Sequence, residues 1–333
     1  MKKLYYLGKP SDGFGWGIAN TNLVRELGKL CNVVVDSSNR TKFDAPCFVP
    51  VTDNAMNPIR KVNAPRQIGY CFTEWPLADD AERNARRYDV LFCGSSWNTA
   101  KAKAAGIKQA DTLIQGVDFE RFKIQPPSQR KGFTVFSGGK YEFRKGQDYV
   151  IAAMRSFMAQ HSDVVLMTAW HNPWPQTMAS MKDSWLIKYG EDLNGLPQDR
   201  IIQLPAIPND KLPAIYAQSH IGIFPNRCEA GTNMVMSEFM ASGRPVVASM
   251  AHGHADVLDG SQYLLKTGSY DNAGWFNPEV SDIIAHLEHA YKNREQLSER
   301  GLKARQLVER FTWQRAAEKI FAAAFPQSGR DVQ

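Results

Sequence analysis

The sequence predicts an α/β protein with two doubly wound parallel sheets, and three observations support this. Apolar runs alternate with helical patterns in the first half, beginning with KLYYLG (3–8) and a helical stretch at 18–30. The alternation stops at a polar linker with two prolines, 124–132, and restarts with GFTVFSG (132–138). At 333 residues, the chain is long enough for two domains of ~100–200 residues. Strands separated by helices form parallel sheets through crossover connections.

Further apolar runs place the remaining elements. In the first half we expect strands at 32–36, 67–72, 89–94 and 111–116. In the second half we expect strands at 163–170, 200–204, 220–225, 245–249 and 262–266, with helices near 146–160, 233–242 and 279–325. Ligands of such sheets bind beyond the carboxyl ends of the strands, so we expect the site in a cleft between the two halves.

Composition excludes several classes of protein. No apolar stretch approaches the ~20 residues that span a bilayer, and MKKLYYLGKP is too polar for a signal peptide. We therefore expect a cytoplasmic protein. The five cysteines form no C-x-x-C pattern, so we expect reduced, mostly buried thiols and neither a disulfide scaffold nor a zinc site.

Positive charge is concentrated in the first half. Residues 1–128 carry 18 Lys and Arg against 13 Asp and Glu, whereas residues 129–333 carry 22 against 21. A basic half can attract an anionic partner, such as a membrane surface, a phosphorylated acceptor or nucleic acid. A solvated basic face without a partner explains the same charges.

Gly13, Gly15 and Gly17 lie between the first strand and the first helix. Glycines there let a ligand approach the backbone, and a helix N-terminus favours an anion. The spacing differs by one residue from the G-x-G-x-x-G of dinucleotide-binding enzymes, although Asp36 ends the second strand as their acidic residue does. A phosphate contact, a dinucleotide site and a tight turn without a ligand all stay open.

The segment 224–249 reads as a strand, a polar loop and a helix. Thr232 or Asn233 can cap the helix, because a short side-chain oxygen accepts hydrogen bonds from first-turn amides. Gly231 is small and leaves those amides open to a ligand such as a leaving diphosphate.

Two glutamates flank this helix start. Glu229 precedes it and can accept hydrogen bonds from sugar hydroxyls. Glu238 lies inside the helix and can bind the vicinal hydroxyls of a ribose, since charge-assisted hydrogen bonds are stronger than neutral ones. A solvent-facing acid is the alternative for Glu238, but its neighbours on both sides are apolar.

Basic residues follow the strand at 132–138. Lys140, Arg144 and Lys145 bring positive charge to its carboxyl end, and Gly139 allows close approach. The cluster can neutralise a diphosphate. A basic turn that leads into a helix is the alternative.

Together these segments resemble glycosyltransferase family 4, the retaining nucleotide-sugar enzymes of the two-domain GT-B fold. In chain order, the matching motifs are GFGWG at 13–17, G-V-D-x-x-x-F at 116–122, G-K followed by R-K-G at 139–146, LPAIPNDKLPAIYAQS at 204–219, the glutamates Glu229 and Glu238, A-x-G-x-P-V-V-A at 241–248, and F-T-W at 311–313. The resemblance implies an acceptor-binding Rossmann-like domain over 1–128, a donor domain over 129–310, and a C-terminal helix over 311–326 that crosses back to the first domain.

The resemblance also implies residue roles. The catalytic residues would be Glu229, Lys145 and Lys140. The donor-binding residues would be Gly15, Gly17, Gly139, Arg144, Ile207, Gly231, Thr232, Asn233 and Glu238. Glu74 and Trp75 would lie on the acceptor side, where many family members place a histidine. The family needs no metal and the chain has no D-x-D, so we expect no metal and no cofactor.

Two departures from the family pattern stand out. Eight residues separate Glu229 from Glu238, where the family has seven, and we expect the extra one in the AGTN turn before the helix. The first domain is also short for the family.

We therefore expect a retaining, metal-independent glycosyltransferase that moves a sugar from a UDP- or GDP-linked donor to a glycan, lipid-linked or small-molecule acceptor. The basic first half is consistent with an anionic acceptor, either a lipid-linked glycan, which would place the protein at a membrane surface, or nucleic acid. The alternatives are a glycosyltransferase acting on a modified DNA base, as in phage-type hydroxymethylcytosine modification, an NAD-dependent enzyme, and a binding protein that keeps the fold without catalysis.

Overall fold

The computed structural model describes residues 1–171 and 192–326. The chain divides into two compact units. The first unit combines Met1–Gly116 with Phe311–Gln333, and the second is Val117–Arg310. Each unit contains one six-stranded sheet.

The first unit is built on a parallel sheet with the strand order β2-β1-β3-β4-β5-β6. Its strands are β1 Lys3–Tyr6, β2 Asn32–Val35, β3 Cys47–Val51, β4 Gln67–Cys71, β5 Val90–Cys93 and β6 Ala110–Thr112. The helices that connect them are α1 Gly15–Leu27, α2 Ala81–Ala85 and α3 Ser96–Ala104.

The central strand β3 was not predicted from the sequence. All five of its residues are buried, and it pairs with β1 on one side and β4 on the other. Pro50 interrupts its apolar pattern and cannot donate to the ladder, which is why the segment CFVPV does not read as a strand. Burial on both faces and pairing with two neighbours outweigh the lost hydrogen bond.

The second unit repeats the design, with the strand order β12-β11-β10-β7-β8-β9 and every pair parallel. Its strands are β7 Phe133–Lys140, β8 Val164–His171, β9 Ile201–Gln203, β10 Ile221–Phe224, β11 Val246–Ser249 and β12 Tyr263–Leu265, and a separate antiparallel hairpin follows with β13 Gly268–Tyr270 and β14 Phe276–Pro278. Its helices are α4 Gln147–Gln160, α5 Leu212–Tyr216, α6 Met234–Ala241, α7 Val280–Lys292 and α8 Leu297–Val308. The two sheets confirm the predicted fold class.

The centre of the second sheet explains why its strands read as continuous apolar runs. Every residue of β10 and of β11 is buried. Parallel sheets are covered by helices on both faces, so their central strands lack the alternating polar face of exposed sheets.

The predicted helical tail consists of α7, α8 and a last helix, α9, at Trp313–Ala324. Thr312 caps α9 by accepting a hydrogen bond from the backbone N–H of Arg315 at 3.1 Å. Within the first unit, α9 packs against α1, and Arg66 donates to the carbonyl of Ala323 at 2.6 Å. Helix α9 is therefore part of the same compact unit as β1 and α1.

Residues 117–128 were predicted with the first domain but lie in the second unit. The backbone N–H of Gln125 donates to the carbonyl of Ser242 at 3.0 Å, and Arg244 donates to the carbonyl of Pro126. These bonds attach the predicted linker to the end of α6.

Two predictions from composition can be compared with the structure. All five cysteines are buried and free, as predicted. Within the described ranges, none of the helices combines the length and the apolar character needed to cross a bilayer.

The contact between Gly116 and α9 provides a test of this arrangement. A Cβ at Gly116 would lie 2.1 Å from the backbone nitrogen of Trp313. We expect Gly116→Ala to lower the free energy of unfolding by roughly 1–3 kcal/mol, because the backbone of α9 must move. Urea unfolding measures the loss. Gly13→Ala is the matched control, since a Cβ there meets nothing within 4 Å and should cost no stability. Equal losses in both variants would contradict the packing argument.

Candidate active site

The carboxyl end of β7 carries two glycines that shape the site. A Cβ at Gly138 would lie 2.9 Å from Cγ1 of Val235 in α6. Gly139 has a φ of +136°, a conformation that favours glycine. The chain thereby passes close to the start of α6 and turns into the short 3₁₀ helix Phe143–Lys145, which presents the basic residues.

Glu229 is the carboxylate around which these basic residues assemble. Lys145 donates through Nζ to Oε1 of Glu229, and Arg144 donates through Nη1 to Oε2 at 2.9 Å. Asn226 also donates to Oε1. Because Glu229 is only 6% exposed, these three donors take the place of water around a buried charge.

The ion pairs decide the protonation of both partners. Burial by itself would raise the pKa of Glu229, but the charges of Lys145 and Arg144 outweigh it and hold that pKa well below the ordinary range. Burial lowers the pKa of Lys145, and the charge of Glu229 opposes this shift. Glu229 is therefore an ionised acceptor at every physiological pH.

Lys140 belongs to the same cluster through a second carboxylate. Its Nζ lies 2.5 Å from Oε1 of Glu142, and Oε2 of Glu142 lies 2.8 Å from Nε of Arg144. The three cations Lys140, Arg144 and Lys145 face two carboxylates, which leaves one net positive charge. This balance favours an anionic ligand.

Arg227, which was not predicted as a site residue, stabilises the turn at Phe143–Lys145 that carries the basic residues. Its guanidinium donates to the carbonyl of Phe143 at 2.7 Å and to Asp148 at 2.8 Å. It also lies over the rings of Phe143 and Tyr149, 3.6 and 4.2 Å from their centroids. Its backbone N–H donates to the carbonyl of Arg144 at 2.7 Å. A charged residue inside the strand-end segment FPNRCE is the signal that points to a buried, paired arginine.

The loop between Glu229 and α6 contains the AGTN turn, where the sequence predicts the extra residue. The helix begins at Met234. Asn233 has a φ of +60°, and its Oδ1 accepts a hydrogen bond from the N–H of Met236 at 3.4 Å. Gly231 and Thr232 are buried in the loop just before it. The backbone therefore leaves the helical conformation at Asn233, within this turn.

A second loop lies against this turn. The N–H of Gly253 donates to the carbonyl of Glu229 at 3.0 Å. A Cβ at Gly253 would lie 1.8 Å from the carbonyl oxygen of Gly231, so no larger residue fits. The backbone around Glu229 is thus fixed on two sides.

The two histidines of this loop face different backbone carbonyls. His254 Nδ1 lies 3.2 Å from the oxygen of Ser249, and His252 Nε2 lies 2.8 Å from the oxygen of Gly274. Burial lowers the pKa of His254 to about 4, so this ring is neutral. In the part of the chain that the structure describes, no group of three His, Cys, Asp or Glu residues could hold a metal ion.

Glu238 lies in α6 in a different environment. It is 5% exposed, and Oε1 accepts a hydrogen bond from Nδ2 of Asn209 at 3.0 Å. Arg121 in turn donates to Oδ1 of Asn209. Burial raises the pKa of Glu238 to about 7. Neither Asn209 nor Arg121 was predicted, although Arg121 lies inside the quoted segment 116–122 and Asn209 beside the partly buried Ile207.

The remaining predicted residues lie in the first unit. Gly15 and Gly17 form the first turn of α1 and not the loop before it, because the helix begins three residues earlier than predicted. A Cβ at Gly17 would lie 1.8 Å from Oγ of Ser11, so packing of the preceding loop requires this glycine. Trp16 contacts Phe72 edge-to-face at 5.1 Å, which brings the glycine segment beside the strand that leads to Glu74 and Trp75.

Glu74 and Trp75 follow β4 on the surface of this unit. Glu74 is half-buried and Trp75 is 53% exposed. Lys101 donates to the carbonyl of Trp75 at 2.9 Å, which ties this segment to α3.

Asp36, the acidic residue of the dinucleotide alternative, is bound by protein groups. Arg60 donates to Oδ1 at 3.2 Å, and the hydroxyl of Ser38 donates to the same oxygen at 2.7 Å. A ribose would have to replace these contacts.

The family-model match to this chain lies within the second unit. The family model of "Glycosyl transferases group 1" matches residues 132–286, which include Lys145, Glu229 and Glu238. The chain is 32% identical to the sulfoquinovosyl transferase SQD2 of Arabidopsis thaliana over 137 residues, which cover 40% of this chain and 25% of that protein. It is 26% identical to the GDP-mannose-dependent α-(1-6)-phosphatidylinositol monomannoside mannosyltransferase of Mycolicibacterium smegmatis over 238 residues, which cover 65% and 59%. The chain thus spans less than two thirds of either relative.

A solved structure extends the likeness to both units. The crystal structure of Anabaena HepE in complex with UDP-glucose superposes with a TM-score of 0.71 over 96% of this chain and 98% of that one, at 13% sequence identity. Identity at this level shows the fold alone, which is the GT-B architecture of two Rossmann-like parallel-sheet domains. The matched group 1 domain and this fold support an enzyme of the glycosyltransferase class.

The buried ion pairs lead to a first prediction for the site. We expect Glu229→Gln to lower the free energy of unfolding by roughly 3–5 kcal/mol at pH 7, because it leaves the largely buried Lys145 without its counter-charge and removes one of the two carboxylates that pair with Arg144. The native pKa of Glu229 is depressed, so its contribution is present above the usual value of 4.5 and declines as the pH falls below it. Urea unfolding should therefore show a smaller difference in unfolding free energy between the wild type and Glu229→Gln at pH 3 than at pH 7.

The control for this variant is Glu299→Gln. Glu299 forms an exposed pair with Lys303, 2.6 Å away on the surface of α8. Exposed pairs of this kind contribute little to stability, so the control should change little. A comparable loss in both variants would show that the Glu229 pairs are not special.

Glu238 should respond to pH in the opposite direction. Its native pKa of about 7 lies above the ordinary 4.5, so the native state loses stability as the pH rises through 7 and Glu238 ionises. We expect Glu238→Gln to be more stable than the wild type by roughly 3 kcal/mol at pH 8 and equally stable at pH 4. Urea unfolding at the two pH values measures the difference. A difference that does not vary with pH would contradict the assignment.

Proposed function

We propose that this chain is a retaining glycosyltransferase of family 4 that needs no metal and no cofactor. It transfers a sugar from a UDP- or GDP-linked donor to a glycan, lipid-linked or small-molecule acceptor. The observation that carries the proposal is the buried Glu229, bound by Lys145 and Arg144 just ahead of the α6 N-terminus, with Glu238 inside the same helix.

The positive cluster supports a role in binding the donor diphosphate. Lys140, Arg144 and Lys145 keep one net positive charge after their pairing with Glu142 and Glu229. When the bond between sugar and diphosphate breaks, negative charge grows on the diphosphate. Fixed positive charge and helix N-terminal amides stabilise that charge most where water is excluded.

The remaining donor contacts follow from position and charge. The ionised Glu229 would accept hydrogen bonds from the donor sugar, and Glu238 from the ribose. Gly139 leaves room beside Lys145, and Gly231, Thr232 and Asn233 would bring their amides to the diphosphate. Ile207 would contact the base. Gly15 and Gly17 would contact the diphosphate from the first unit, and Glu74 and Trp75 the acceptor.

The proposed sugar transfer forms one bond for each bond that it breaks, and it requires neither a metal nor an oxidant. The acceptor oxygen forms a bond to the anomeric carbon while the bond from that carbon to the diphosphate oxygen breaks. The proton of the acceptor hydroxyl passes to the leaving diphosphate. Attack on the face that the diphosphate leaves retains the anomeric configuration.

The relatives support both donor bases and suggest an acceptor class. One relative depends on GDP-mannose and HepE binds UDP-glucose, so the screen must include both bases. The name of the mycobacterial enzyme includes a phosphatidylinositol acceptor, which favours a lipid-linked acceptor and a place at a membrane surface in the cytoplasm. The basic first half, with 18 Lys and Arg against 13 Asp and Glu, keeps a modified DNA base as the second candidate.

The test is a thermal-stabilisation screen with UDP, GDP, UDP-glucose, GDP-mannose and NAD. A ligand present at 100 times its Kd stabilises the folded state by about 2.7 kcal/mol. We expect a UDP or GDP compound to stabilise the wild type, with or without EDTA. Lys145→Ala and Glu238→Ala should lose this effect because they remove diphosphate and ribose contacts.

Lys303→Ala is the control, since Lys303 is an exposed lysine paired only on the surface of α8. It should bind like the wild type. Stabilisation by NAD alone would overturn the proposal in favour of the dinucleotide site. For the acceptor, binding to DNA that weakens steeply with added salt would select the nucleic-acid candidate.

A further inference from the structure

One buried amide lies between a cation and a carboxylate. Arg121 donates through Nη1 to Oδ1 of Asn209, and Asn209 donates through Nδ2 to Oε1 of Glu238 at 3.0 Å. Asn209 is 7% exposed and Glu238 is 5% exposed. The three side chains form a chain of charge-assisted hydrogen bonds, in which the amide and the carboxylate are buried and Arg121 is half-buried.

The two charged ends fix the orientation of the amide. A guanidinium has only donors, so the oxygen of Asn209 must face Arg121. An ionised carboxylate has only acceptors, so the NH₂ group of Asn209 must face Glu238. If Arg121 were removed, the amide would lose the partner that specifies this orientation.

The other ionisable groups that face Glu238 do not replace this cation. They are Asp118, from the same segment as Arg121, and Tyr216 of α5. The charge of Asp118 disfavours the ionised form of Glu238, as burial does, whereas Arg121, the bond from Asn209 and the hydroxyl of Tyr216 favour it. Arg121 and Asn209 therefore act against burial.

We infer that Arg121 is a positioning residue for Glu238, acting through Asn209 to keep the carboxylate ionised and oriented toward the ribose hydroxyls of the donor. The inference rests on the proposed function for the identity of the ligand. Arg121 itself touches neither donor nor acceptor in this scheme.

The test measures the affinity for UDP or GDP, whichever stabilises the wild type more, by calorimetry between pH 6 and pH 9. In Arg121→Ala we expect binding about fivefold weaker at pH 7 and near wild type at pH 9, because the pKa of Glu238 rises by about one unit. Asn209→Ala should show the same displacement. Arg121→Lys keeps the positive charge but lacks the planar guanidinium. At pH 7 it should bind the nucleotide more tightly than Arg121→Ala and more weakly than the wild type.

The matched control is Lys123→Ala. It removes the same charge two residues away, from a side chain that pairs with Glu120 on the surface. The titration of the diphosphate itself is common to every variant, so only a displacement between variants counts. Equal loss at all pH values in Arg121→Ala, or the same displacement in Lys123→Ala, would overturn the inference.

A second arm needs no ligand and separates this inference from the proposed function. The stability difference between Glu238→Gln and its parent is measured against pH in the wild-type and Arg121→Ala backgrounds. The difference grows from the unfolded pKa of Glu238 and levels off above its native pKa, so we expect it to level off at a pH about one unit higher in the Arg121→Ala background. Levelling off at the same pH in both backgrounds refutes the role of Arg121 even if no nucleotide binds. Levelling off at a higher pH in a protein that binds no nucleoside diphosphate upholds the coupling and rejects the donor site.

Discussion

The second unit depends on one constraint, which is that the carboxylate of Glu229 is buried and charged. A buried charge without partners costs many kcal/mol, so the surrounding chain must supply donors at fixed positions. Lys145 and Arg144 do this from the turn after β7, and Arg227 holds that turn by binding Asp148 and the carbonyl of Phe143. The need to neutralise the charge of Glu229 therefore constrains both the turn after β7 and the segment that carries Arg227.

The two glutamates of the site have the same chemistry and opposite electrostatic settings. Glu229 contacts two cations directly, which keeps it ionised despite its burial. Glu238 is connected to the cation of Arg121 through the amide of Asn209. Here burial has the larger effect and raises the pKa of Glu238 to about 7. One carboxylate is thus permanently charged, while the other can change its charge in the neutral range. The difference arises from one intervening side chain.

The sequence predicted the architecture, and the charged residues proposed for the site also have local signals. Apolar runs mark the buried strands, and short motifs mark Lys145, Glu229 and Glu238. The exceptions have local causes too, such as Pro50 in β3 and the early start of α1 at Gly15. Arg121 and Arg227 were not predicted, because the sequence does not identify their partners, which lie 88 and 79 residues away in the chain. Only the tertiary fold shows that these cations are paired.

The packing of α9 on α1 has a consequence for how the protein is made. The ribosome delivers the strands of the first unit before Val117–Arg310, but it delivers Trp313, Ala317 and Ile320, which are buried in the finished unit, only afterwards. The whole of Val117–Arg310 is synthesised in between, and it can fold before α9 is available to cover the face of α1. Domains usually mature in the order of their translation, and here the first to be started is the last to be finished. A nascent chain stalled before Phe311 would expose the apolar face of α1, which is the kind of surface that chaperones bind.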